Sequence, residues 1–123
     1  MPSVALLGSG LLGEAIGRRL LAQGVELKVW NRTPERCQTL IADGAQAVPD
    51  LSSLAEGCST VITVLRDGPV TQAVVRELGD LRGGCLMPMG TMGSTETRSL
   101  AEQIQHQNGH CLEAPVLGSK PQA

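Results

Sequence analysis

Residues 8–13 read Gly-Ser-Gly-Leu-Leu-Gly, between the apolar run Val4-Ala5-Leu6-Leu7 and a stretch with helical apolar spacing. A strand that enters a glycine turn and leaves it as a helix is a narrow structural prescription. Gly8 permits the tight turn, Gly10 lets an anion approach the main chain, and Gly13 lets the helix pack close to the strand. The helix N-terminus adds unpaired N–H groups and the positive end of its dipole. Ser9, Leu11 and Leu12 complete the turn, so Gly8, Ser9, Gly10, Leu11, Leu12 and Gly13 form the expected pyrophosphate site of a dinucleotide.

The rest of the chain alternates strand and helix. Leu12, Ile16 and Leu20 recur four apart, and Gly24 ends the first helix. Leu27 and Val29 alternate with Glu26 and Lys28 in a second strand that stops at Trp30. Thr33 and Pro34 are read as N-cap and first residue of a helix running to about Asp43. A short strand is expected at Gln46–Val48 and a short helix at Asp50–Glu56. A buried strand follows at Thr60–Leu65, then a helix from about Val70 to Leu78, a strand at Cys85–Met89 and a helix capped by Ser94 or Thr95. Asn108-Gly109 terminates that helix, and a last strand begins near Cys111. Six strands joined by helices predict an α/β, doubly wound parallel sheet of Rossmann type, order 3-2-1-4-5-6, with helices on both faces. The ligand crevice then lies at the strand C-terminal ends.

Composition removes other classes. The 123 residues are enough for one core-forming domain. The net charge of −2 and the absence of Tyr and Phe give no basis for a nucleic-acid partner. No apolar run approaches the ~20 residues that span a bilayer, and no signal peptide is legible. Cys37, Cys58, Cys85 and Cys111 are widely spaced and read as reduced thiols of a cytoplasmic protein. His106 and His110 are separated by Gly109 and lack a third ligand, so no metal site is expected.

An NAD site usually closes its second strand with an acid that binds the ribose 2′-hydroxyl. Here that place reads Trp30-Asn31-Arg32-Thr33, without a carboxylate. Arg32 suits a 2′-phosphate, and Asn31 and Thr33 add donors. Arg36, one turn on, serves equally as a helper or as a solvated charge. The expected cofactor is therefore NADP (NADPH) in preference to NAD. Leu65, ending the fourth strand, is expected to meet it through backbone and apolar surface. Arg66 and Asp67 are either a nicotinamide-ribose border or a turn.

Gly8–Gly13, then Ala15-Ile16, then Val29-Trp-Asn-Arg-Thr33 resemble the N-terminal domain of the β-hydroxyacid dehydrogenases. That family includes 3-hydroxyisobutyrate and 6-phosphogluconate dehydrogenases and the glyoxylate/succinic semialdehyde reductases, and the last branch is the most similar. Gly90-Thr91-Met92-Gly93-Ser94 resembles the family's Ser-Thr loop near the nicotinamide, which implies a cofactor role for Thr91. Glu113-Ala-Pro-Val-Leu-Gly-Ser119 resembles its substrate segment, which implies substrate contacts for Val116, Leu117, Gly118 and Ser119. Gly90 and Leu117 stand where the family usually has Ser. The resemblance implies hydride transfer between nicotinamide and a small hydroxy acid, aldehyde or 2-oxo acid. Family members continue into an all-α domain carrying a catalytic Lys. Lys28 and Lys120 are the only lysines here and neither fits that place. No catalytic residue is therefore expected in this chain, which should bind cofactor without turnover. It should also expose an apolar patch through which a homodimer could form. An imine-reductase-like domain and a stand-alone NADP-binding regulatory module are the alternatives.

Overall fold

The computed structural model describes residues 3–8, 10–48, 50–65, 68–89 and 93–112. Its parallel sheet comprises β1 (Ser3–Leu7), β2 (Glu26–Trp30), β3 (Gln46–Ala47), β4 (Thr60–Val64), β5 (Cys85–Met89) and β6 (His110–Cys111). The strand order is β3-β2-β1-β4-β5-β6, as expected. The order reverses between β1, whose chain moves out to β2, and β4 on its other side. This reversal opens the crevice of a doubly wound sheet.

The strand pattern divides the core into two layers. Ala5, Leu7, Val61 and Leu86 face one side, where they meet Leu51, Leu54, Val74, Val75, Leu78, Leu100 and Ile104. Those partners come from the turn at Leu51–Ser53 and from α3 (Leu54–Gly57), α4 (Gly68–Leu78) and α5 (Ser94–His106). Leu6, Leu27, Val29 and Ile62 face the other side, with Cys37 and Leu40, and with Ile16, Leu20 and Leu21 packed against them. Here the cover is α1 (Leu11–Ala22), a 3-10 turn (Pro34–Cys37) and α2 (Gln38–Ala42). Burial on both faces explains why β1 and β4 read as continuous apolar runs rather than as alternation.

Several elements differ from expectation, each for a local reason. The single helix expected over 33–43 is a 3-10 turn followed by the five-residue α2. Thr33 stands at its N-cap, but its hydroxyl makes no capping bond. The Asn31 amide instead donates to the Thr33 carbonyl at 2.9 Å. The buried ridge of α1 is Gly13 and Gly17, not Leu12. A Cβ on Gly17 would sit 2.8 Å from the Leu40 methyls, so glycine sets the approach of α1 to α2. α4 begins at Gly68 rather than Val70. Gly93 is the N-cap of α5, so neither Ser94 nor Thr95 caps it. Asn108, at φ +65, ends α5 in the left-handed conformation.

Pro88 lies inside β5, and its ring nitrogen faces the sheet edge. The N–H groups of His110 and Leu112 donate to the carbonyls of Gly84 and Leu86, both at 2.9 Å. Even-numbered residues of β5 thus address β6, and Pro88 has no N–H with which to extend that ladder. The α4–α5 pair is fastened by the Gln107 amide, which donates to the carbonyls of Val75 at 2.8 Å and Gly79 at 2.7 Å. None of the four cysteines is in a disulfide: Cys37 and Cys58 are buried, Cys85 and Cys111 half-buried. Desolvation pushes the Cys58 thiol up in pKa, against the pull of nearby Lys28. No described helix is long and apolar enough to cross a membrane.

Candidate functional site: a cleft at the ends of β1, β2 and β4

The turn after β1 is compressed from three directions. Gly8 adopts φ +102, and a Cβ there would collide with the Val64 carbonyl oxygen at 2.1 Å. Its N–H donates to the Trp30 carbonyl at 2.8 Å, which ties the turn to the end of β2. Gly13 backs the same turn, since a Cβ on it would lie 2.4 Å from the Gly8 carbonyl oxygen. Gly10 is different. Its backbone is extended, and nothing lies within 4 Å of where its Cβ would be. Its carbonyl accepts the Glu14 N–H at 2.8 Å, and it has no side chain to cap the first turn of α1. The open space beside Gly10 and the uncapped helix start make a cradle that a side chain would fill.

This cradle forms one wall of a cleft of about 560 Å³. Gly8, Gly10, Leu11 and Leu12 supply that wall, and Leu11 is 91% exposed beside it. Trp30, Asn31, Arg32, Thr33 and Arg36 supply the second, at the end of β2. The Arg36 N–H donates to the Thr33 carbonyl at 3.0 Å, so the 3-10 turn holds both arginines on one rim. Val64, Leu65, Val70 and Val74 make the third wall, which is apolar. Among the described residues, no carboxylate lines the cleft. Among the described residues, no three His, Cys, Asp or Glu side chains are grouped to hold a metal. A smaller pocket of about 320 Å³ lies on the other side of Asn31, between Val29, Pro34, Cys37, Ala47 and Val48.

Nine of the residues singled out from sequence converge on the larger cleft: Gly8, Gly10, Leu11, Leu12, Asn31, Arg32, Thr33, Arg36 and Leu65. Gly13 stands behind it as support. Ser9, Arg66, Asp67, Thr91, Val116, Leu117, Gly118 and Ser119 lie outside the described residues. Trp30, Val64, Val70 and Val74 line the cleft without having been foreseen. Trp30 and Val64 are the last residues of their strands, a position that was itself a signal. Val70 and Val74 lie four apart on α4 and so share one face of that helix.

Comparison with known proteins agrees with this geometry. The family described as the NAD binding domain of 6-phosphogluconate dehydrogenase matches residues 3–123. Glyoxylate/succinic semialdehyde reductase 1 of Arabidopsis thaliana is 30% identical over 125 residues, covering 98% of this chain and 43% of that protein. An uncharacterized oxidoreductase of Bacillus subtilis, YfjR, is 34% identical over 120 residues, covering 94% of this chain and 42% of the relative. The solved structure of an imine reductase from Pseudomonas sp. superposes with a TM-score of 0.86 at 30% identity, over 93% of this chain and 41% of its own. This chain spans less than half the length of each of these proteins. Strand order, glycine turn and sequence match agree, and the chain belongs to the family of the NAD-binding domain of 6-phosphogluconate dehydrogenase.

Proposed function

We propose that this chain binds NADP(H) in the 560 Å³ cleft and serves as the cofactor-binding part of an oxidoreductase. The reaction passes hydride between nicotinamide and a small hydroxy acid, aldehyde or 2-oxo acid. The observation that carries the choice of nucleotide is the second wall: Arg32 and Arg36 share the rim at the end of β2, and no described carboxylate lines it. A guanidinium pairs with a 2′-phosphate, whereas the acid typical of NAD sites would repel it. The α1 N-terminus and the space at Gly10 receive the pyrophosphate. Leu65, Val70 and Val74 offer the bound nucleotide an apolar surface. When bound, the nicotinamide supplies the hydride chemistry; these residues bind and orient. Val116, Leu117, Gly118 and Ser119 contribute substrate contacts, and carbonyl polarisation by a Lys belongs to another part of a longer enzyme.

Trp30 is the only aromatic residue and lines the cleft, so its fluorescence reports binding directly. Titration with NADP⁺ and NAD⁺ should show NADP⁺ binding at least about tenfold tighter, and Arg32→Ala should erase that difference. Equal affinity in the unaltered chain would overturn the nucleotide assignment, and binding of neither would overturn the site. Imine reduction is a second reading, favoured by the 30% identity to an imine reductase. NADPH oxidation by the longer enzyme, with succinic semialdehyde or with a cyclic imine, separates the two.

A further inference from the structure

Glu96 stands outside the cleft, in the first turn of α5, yet its carboxylate touches the start of two helices. Its Oε1 accepts the Gly93 N–H at 3.1 Å. The Gly93 carbonyl is held as well, by the Thr97 N–H at 2.9 Å and the Thr97 hydroxyl at 3.0 Å. The other contact is with Gly68, the first residue of α4. A Cβ on Gly68 would lie 2.7 Å from Glu96 Cδ and 2.9 Å from each carboxylate oxygen. Gly68 is buried, and its backbone is not in the left-handed region. The position therefore needs no conformational freedom from glycine; it needs room for the carboxylate.

That contact sits where the remainder of a dinucleotide must run. The cleft takes in the ends of β2, β1 and β4, with the arginine rim at one end and the α1 N-terminus in the middle. A ligand with its 2′-phosphate on Arg32 and its pyrophosphate on α1 has only the β4–β5 side left for its nicotinamide half. α4 follows β4 on that side, and Gly93 lies four residues beyond the end of β5. We propose that Glu96 is a positioning residue for the nicotinamide half, holding Gly93, the N-cap of α5, at a fixed distance from Gly68 in the first turn of α4 without touching the ligand. This rests on the reading of the cleft as an NADP(H) site.

The test compares a whole ligand with half of one. NADP⁺ and adenosine 2′,5′-bisphosphate are titrated calorimetrically into the chain and into Glu96→Ala, Glu96→Gln and Gly68→Ala. Gly68→Ala is the steric counterpart: its methyl displaces the carboxylate, while alanine favours the helix. Glu96→Ala and Gly68→Ala should each weaken NADP⁺ about tenfold, as loss of one charge-assisted hydrogen bond does, and leave the bisphosphate within about twofold. Glu96→Gln keeps an acceptor oxygen on the same stem and should recover most of the loss. Parallel weakening of both ligands would reduce Glu96 to a helix cap and overturn the proposal, as would unchanged NADP⁺ binding in both variants. Failure of the bisphosphate to bind the unaltered chain would refute the reading of the cleft itself.

Discussion

Gly10 and Gly13 sit three residues apart in one turn, and replacing each by alanine should have opposite consequences. At Gly10 the backbone is extended and the added methyl meets nothing within 4 Å. The fold therefore loses only the slight N-cap advantage of glycine over alanine and gains from a stiffer unfolded chain, two effects of roughly 0.5 kcal/mol that nearly cancel. The methyl nevertheless occupies the space that a phosphate needs beside the α1 N–H groups. Gly10→Ala should keep its Tm within about 2 °C while losing at least about tenfold in NADP⁺ affinity. At Gly13 the new Cβ starts 2.4 Å from the Gly8 carbonyl oxygen, against 3.4 Å for ordinary contact, so α1 must retreat from the turn by about 1 Å. The obstacle is backbone and cannot rotate away. Overpacking of this kind costs about 2–3 kcal/mol, of which the better helix propensity of alanine returns about 1. Gly13→Ala should melt about 5 °C or more below the unaltered chain. Differential scanning fluorimetry and Trp30 titration read both quantities. Undiminished binding by Gly10→Ala would mean that no anion approaches this turn, and an unchanged Tm for Gly13→Ala would refute the packing argument.

Three further outcomes follow from features away from the turn. The Thr63 hydroxyl, in β4 and 1% exposed, has no hydrogen-bond partner among the described residues, so Thr63→Val should stabilise by about 1 kcal/mol in chemical denaturation, and a loss would show that the hydroxyl is bonded. The Asp80 carboxylate accepts the Arg82 N–H and the Asn108 amide, which hold its pKa below the usual value; the stability advantage over Asp80→Ala should be full above about pH 4 and shrink as pH falls through the lowered pKa. A constant difference from pH 7 to pH 2 would contradict this. In native alkylation followed by mass spectrometry, half-buried Cys85 and Cys111 should label well before Cys37 and Cys58, and early labelling of Cys58 would contradict the burial that raises its pKa.

The strand order and the first two walls of the cleft were legible in the sequence because they depend on local signals. Glycines at 8, 10 and 13 mark a backbone shape, and the missing acid after Trp30 is visible without coordinates. The third wall was not legible. Val70 and Val74 border the crevice through the packing of α4 against the sheet, a tertiary arrangement that apolar spacing alone does not show. The caps were misread for a related reason. Ser94 and Thr95 have the residue types that cap helices, yet Gly93 takes that place while Glu96 reaches back to it. At Thr33, the Asn31 amide organises the turn that the Thr33 hydroxyl was expected to stabilise. Apolar period located the helices well, but it could not show that the buried ridge of α1 is made of glycine.

The segment from Pro34 to Ala47 has its own consequence. It comprises one 3-10 turn, a five-residue helix and a two-residue strand whose side chains are exposed, at the edge of the sheet beyond β2. Such a unit opens at lower free energy than the strands at the centre, so its amides should exchange with solvent well before those of β1 and β4. Arg36 of the arginine rim belongs to this segment, and Arg32 leads directly into it. On the proposed reading of the rim, nucleotide preference is separated from the core: this corner can be rewritten, or drift, while the sheet beneath it keeps its shape. A nucleotide gripped there would tighten the corner in return, because a ligand that binds only the closed form suppresses its opening.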